Sequence, residues 1–160
     1  MNSKAARLGI VLVLLAFLVP ASSLAQSGPF THFAGAWSGS GNISMEDGTL
    51  ERIRCKANYR IDDTGTALEQ VLRCASDSYR FDIQSNAMSR EGNVAGSWSE
   101  FSRNISGQLE GRVAGGQITA LLQAPTFAAT LRIVLRGKRQ SVSISSQGQI
   151  RHVSINLSRI

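Results

Sequence analysis

Histidine, cysteine and proline are almost missing from these 160 residues: two His, two Cys and three Pro. Two histidines, His32 and His152, and one cysteine pair cannot assemble a metal site of familiar ligand spacing, so neither metal nor cofactor is expected. Scarce proline leaves extended segments uninterrupted, and within the periodic part of the chain only Pro125 occurs, at a turn where a strand ladder loses nothing. Long apolar runs are scarce as well. The one clear example, Leu8 to Pro20, spans 13 residues, against roughly 20 for a membrane-spanning helix.

That run has a different meaning in its context. Lys4 and Arg7 precede it without an acid, and Ala21-Ser22-Ser23-Leu24-Ala25 follows with small residues at −1 and −3 of a cut after Ala25. Charged, apolar and small, in that order, describes a cleaved secretory signal over residues 1–25. Residues 26–32 form an irregular lead-in, and 33–160 are expected to make one domain. The chain from Gln26 on carries fifteen basic residues against eleven acidic, a net charge of +4. A periplasmic or secreted monomer without a transmembrane segment is expected. In that oxidising setting Cys55 and Cys74 are expected to form a disulfide.

Catalytic constellations are missing too. No Gly-x-Ser-x-Gly elbow occurs. Gly35, Gly39 and Gly41 lie in a strand pattern with no helix after them, so they cradle no phosphate. Asp63-Thr64-Gly65 matches the triplet of aspartic proteases, which need two such aspartates sharing a proton; a single copy at a turn position is turn chemistry. No enzyme is expected.

What the chain does have is a period of two. Ile53, Cys55, Ala57, Tyr59 and Ile61 alternate with Arg52, Arg54, Lys56, Asn58 and Arg60, which is the pattern of a half-buried strand. The same alternation recurs at 105–113, 127–136 and 153–158, with Gly- and Asp-rich turns between. Ten strands are expected, near 33–43, 50–61, 66–75, 79–87, 93–102, 104–113, 116–123, 126–136, 139–146 and 150–159. If the second and third pair around Thr64-Gly65, opposed residue numbers sum to 129. Cys55 then faces Cys74, Tyr59 faces Gln70 and Arg60 faces Glu69, so apolar pattern and cysteine placement choose one register. The expected fold is all-β, an antiparallel up-and-down barrel of about ten strands, since closure removes exposed edges. A two-sheet sandwich is the alternative.

Gly35-Ala36-Trp37-Ser38-Gly39 opens the first strand, and Gly96-Ser97-Trp98 repeats its phrase. Glycines on the face of an inward indole would give it room. An early Gly-x-Trp in an antiparallel chain resembles the first strand of calycin barrels, which include lipocalins, fatty-acid-binding proteins, avidins and the periplasmic inhibitors of bacterial metalloproteases. The chain is also similar to small exported proteins of proteobacteria, a likeness that implies no activity. The resemblance implies a barrel that holds a small molecule or blocks a protein.

Parity puts Tyr59, Gln70, Trp98 and Glu100 inside, with Tyr79 beside them. A few polar groups in an apolar interior orient a ligand, and the inward Glu100 needs a partner unless a bulge turns it out. Outside, Arg52, Arg54, Lys56, Arg60 and Arg73 make a basic stripe. No aromatics interleave with it, so nucleic acid is not expected. The expected function is an exported barrel binding a small apolar or amphipathic ligand. A periplasmic protein-interaction module, such as a protease inhibitor or envelope-associated partner, is the alternative.

Overall fold

A computed structural model describes residues 27–160. The expected signal, and Gln26 of the lead-in, lie outside them. A 3-10 turn, Thr31–Phe33, leads into ten strands: β1 Gly35–Met45, β2 Leu50–Ile61, β3 Ala67–Ala75, β4 Arg80–Arg90, β5 Asn93–Glu100, β6 Ile105–Ala114, β7 Gln117–Ala124, β8 Phe127–Arg136, β9 Arg139–Ser146 and β10 Ile150–Arg159. Each pairs antiparallel with its chain neighbours, and β1 also pairs with β10. The result is a closed up-and-down barrel, which excludes the sandwich. Every strand overlaps its expected range, with ends shifted by at most three residues.

The alternation explains the closure. Along β2 the inward residues Ile53, Cys55, Ala57 and Tyr59 are buried, and the basic residues between them are exposed. Apolar inner faces from all ten strands meet in one core, and wrapping the sheet leaves no free edge. The β2–β3 register has opposed residues summing to 129, from Arg54 with Ala75 to Ile61 with Leu68. Cys55 and Cys74 are directly opposed, Cα atoms 4.1 Å apart and sulfurs within bonding distance. Bridging that hairpin is worth about 3 kcal/mol on the chain-entropy model.

The inward glycines serve the backbone more than the indoles. A Cβ on Gly39 would lie 1.9 Å from the Asn156 carbonyl oxygen, and one on Gly96 would lie 1.9 Å from that of Asn86. Such crossings let the sheet bend tightly enough to close. Beside an indole, Gly107 is the residue that leaves room, with its missing Cβ 3.1 Å from the Trp98 Nε1.

The two barrel ends differ. At one end the β4–β5, β6–β7 and β8–β9 connections take two residues each. The lead-in packs there: the Gly28 and Phe30 amides donate to the Thr64 and Gly65 carbonyls at 3.0 Å, and Phe30 and Phe33 are fully buried. At the other end four of five connections take three or four residues. That end is the mouth. Among the described residues no helix is long and apolar enough to cross a membrane.

Candidate functional site: the barrel interior

Between the plugged end and the mouth lies a cavity of about 350 Å³. Its wall is largely aliphatic and aromatic, with Leu72, Leu109, Ile118, Ile133 and Val142 among the lining side chains. Tyr59, Gln70, Tyr79, Trp98 and Glu100 all border it. Alternation on β2 to β5 aims four of them inward, and Tyr79 reaches the mouth from the β3–β4 loop. Cys74 also faces the cavity.

Tyr59 sits at the deep side. Its hydroxyl donates to the Gln140 Oε1 at 3.0 Å and accepts from the Gln70 Nε2 at 3.1 Å. Burial outweighs both hydrogen bonds and pushes the phenol up to about 12, so it stays neutral. Gln140, 1% exposed, keeps a buried amide nitrogen with no partner among the described residues. Trp98 donates its indole N–H to the Gln108 carbonyl at 3.1 Å and meets Phe127 edge-on at 5.7 Å.

Glu100 points inward at the mouth, 6% exposed, with no bulge turning it away. Its partners are β4 and the following loop. Oε1 accepts from the amides of Asp82 and Ser102 at 3.0 Å, and Oε2 from that of Arg103 at 2.8 Å. Burial alone would raise its pKa, but these hydrogen bonds together win and hold the carboxyl below its ordinary range. Arg103 adds an ion pair at 3.7 Å and lies 4.7 Å over the Phe81 ring. Phe81 in turn stacks with Tyr79, ring centroids 6.3 Å apart.

Trp37, fully buried, lies at the plugged end away from the cavity wall. Its indole N–H donates to the Phe33 carbonyl at 2.9 Å, and the Arg159 guanidinium stacks 4.4 Å from its ring. Arg159 also donates to the carbonyls of His32 and Ala34, tying β10 to the lead-in. Gly35 takes a positive φ at the turn into β1. These residues plug the barrel.

Arg52, Arg54, Lys56 and Arg60 are exposed on the outer face. Arg73 is held by Asp82 at 3.4 Å. On the far side of β1 and β10, Arg136 and Arg139 are directly opposed. His152 faces outward with its Nδ1 3.0 Å from the Ser145 hydroxyl. No group of three metal-ligating side chains occurs among the described residues.

Sequence reasoning missed Gln140, Arg103, Arg159 and Ser85. Gln140 shares parity with the apolar Val142 and Ile144, Arg159 with Ile155 and Leu157, and Ser85 with Phe81 and Ile83. For these three a signal was present. For Arg103, in a loop, there was none.

No protein-family model and no curated protein matches the sequence. Solved structures do match in shape. The protein Rv2717c of M. tuberculosis superposes with a TM-score of 0.60 at 17% identity, over 82% of this chain and 93% of that one. The S-type phycobiliprotein lyase CPES of Guillardia theta superposes with a TM-score of 0.55 at 12% identity, over 82% and 90%. With the ten-stranded antiparallel closure, these likenesses fit a calycin-like barrel fold.

Proposed function

We propose that this chain is an exported, non-enzymatic barrel that binds a small apolar or amphipathic ligand in its interior. One observation carries the reading: an apolar cavity of about 350 Å³ that opens at one end of a barrel plugged at the other. Ligand pockets run from about 300 to 1,000 Å³ and are mostly apolar with a few placed polar groups, so this one suits a small guest. A catalytic role finds little support. The inward carboxylate, Glu100, is spent on three backbone amides, and the only other lining charge, Arg103, is paired with it. The lyase among the structural neighbours lends the fold, not its chemistry. The alternative, a periplasmic interaction module, rests on the basic outer face, because the lead-in from Gly28 on is packed against the barrel.

Native mass spectrometry of the protein purified from its own compartment tests this. A reproducible extra mass that is lost on denaturation is the expected result. Added apolar probes should also change tryptophan emission, since Trp98 borders the cavity and Trp37 does not. A bare chain that takes up no probe sinks the proposal.

A further inference from the structure

We infer that Gln70 and Ser85, neighbours on β3 and β4, form a hydrogen-bonding subsite inside the barrel for an uncharged ligand bearing a hydroxyl or carbonyl. The inference rests on the cavity reading above and names the class of guest. Tyr59, Gln70 and Ser85 are successive register partners across β2, β3 and β4, and all three border the cavity. They form a short polar row among the apolar lining residues of β2 to β4, Ile53, Leu68, Leu72 and Ile83.

The members differ in what they have left to give. Tyr59 has donated its proton to Gln140 and accepts from Gln70. Gln140 thus holds the phenol from behind and fixes the Gln70 amide beside it. Gln70 spends one amide hydrogen on Tyr59, and its side chain makes no other hydrogen bond among the described residues. One N–H and the carbonyl oxygen stay free. The Ser85 hydroxyl has no partner there either. Donor and acceptor capacity therefore converge side by side, partly buried and facing a cavity that offers them little else.

Charge excludes an anion at this level. Of the lining residues only Glu100 and Arg103 are charged, and they pair with each other at the mouth. A carboxylate beside Gln70 would be desolvated with no cation to meet it, a far larger cost than burying a neutral hydroxyl that finds partners. A plain hydrocarbon would cover Gln70 and Ser85 without satisfying them. An alcohol or ketone both fits and pairs.

Decanol, decanoate at neutral pH and decane, titrated against tryptophan emission and checked by native mass spectrometry, separate the possibilities. The expected order is decanol first, about tenfold tighter than either of the others, as one or two satisfied hydrogen bonds would give. Ser85→Ala and Gln70→Leu together should erase that preference while decane binding holds or improves. Ser85→Ala alone, which changes one oxygen, keeps the test valid if Gln70→Leu disturbs folding. Tighter binding of decanoate, lost in Arg103→Gln, would put the polar group at the mouth and overturn the inference. So would equal binding of decane and decanol with no response to the variants, although the cavity reading would survive it. If none of the three binds, the cavity reading itself falls, and the subsite with it.

Discussion

The two ends of this barrel are built from the same strands and do opposite jobs. At the plugged end three connections are two residues long, the lead-in is hydrogen-bonded to the β2–β3 turn, and Arg159 stacks on a fully buried Trp37. At the mouth four of five connections take three or four residues, and a single carboxylate organises one of them. Aromatic surface at the plugged end is consumed by packing. Aromatic surface at the mouth, Tyr79 and Phe81, is stacked but only half-buried. Packing is concentrated at the end that the lead-in closes, and the cavity lies toward the other.

The sharpest way to break this contrast is Trp37→Ala. Emptying a closely packed aromatic site costs about 3–5 kcal/mol. The midpoint of denaturant unfolding should fall accordingly, while the protein that remains folded keeps its affinity for apolar probes. A loss below about 1 kcal/mol would mean that the plug is not where stability resides.

Tyr59→Phe probes the boundary between the halves. It strands the Gln140 and Gln70 amides, at a cost of about 2 kcal/mol. It should also alter the alkaline limb of stability. The Tyr59 pKa of about 12 in the folded chain lies above the unfolded value of about 10. Its contribution is therefore complete below about pH 10 and is lost as pH rises through 12. The variant should lack that portion of the alkaline transition; an unchanged limb would contradict the buried geometry.

Glu100→Gln should have the smallest effect, about 1–1.5 kcal/mol, because it replaces charge-assisted hydrogen bonds at the mouth alone. Here the sign runs the other way. The folded carboxyl titrates below its ordinary value. Its contribution is present above about pH 4.3 and fades as pH falls through the lowered value. Acid titration of the Ser102 and Arg103 amide resonances should report loosening at the mouth before any change at the plug. Simultaneous loss at both ends would erase the distinction between them.

Strand number, strand limits and the β2–β3 register were legible because they depend on alternation and on turns, which are local. The same alternation sorted Tyr59, Gln70, Trp98 and Glu100 to the inside. It could not say at what height each lies, because height depends on the stagger of ten strands around the barrel. Glu100 was therefore visible as an inward acid, but not as the acceptor for its own downstream loop. Trp37 and Trp98 share a phrase in the chain, yet one belongs to the plug and the other to the cavity. The glycines beside them were visible as gaps, while the carbonyls of Asn156 and Asn86 that fill those gaps come from strands distant or antiparallel in register. The closure of the plugged end by the lead-in joins residues more than 120 positions apart, Arg159 with His32 and Ala34, and no local pattern announces it.

The cysteine bridge lies on the inner wall, with Cys74 bordering the cavity and both sulfurs buried. The β2–β3 hairpin can be oxidised while it is still an open ribbon, before β10 arrives to seal β1. Once the seam is shut, any thiol must approach through the mouth, along the path a guest would take. A guest already inside would then stand between the bridge and a reductant, so occupancy would lengthen the bond's lifetime and, by favouring the folded chain, would also draw the equilibrium away from the open chain's thiols.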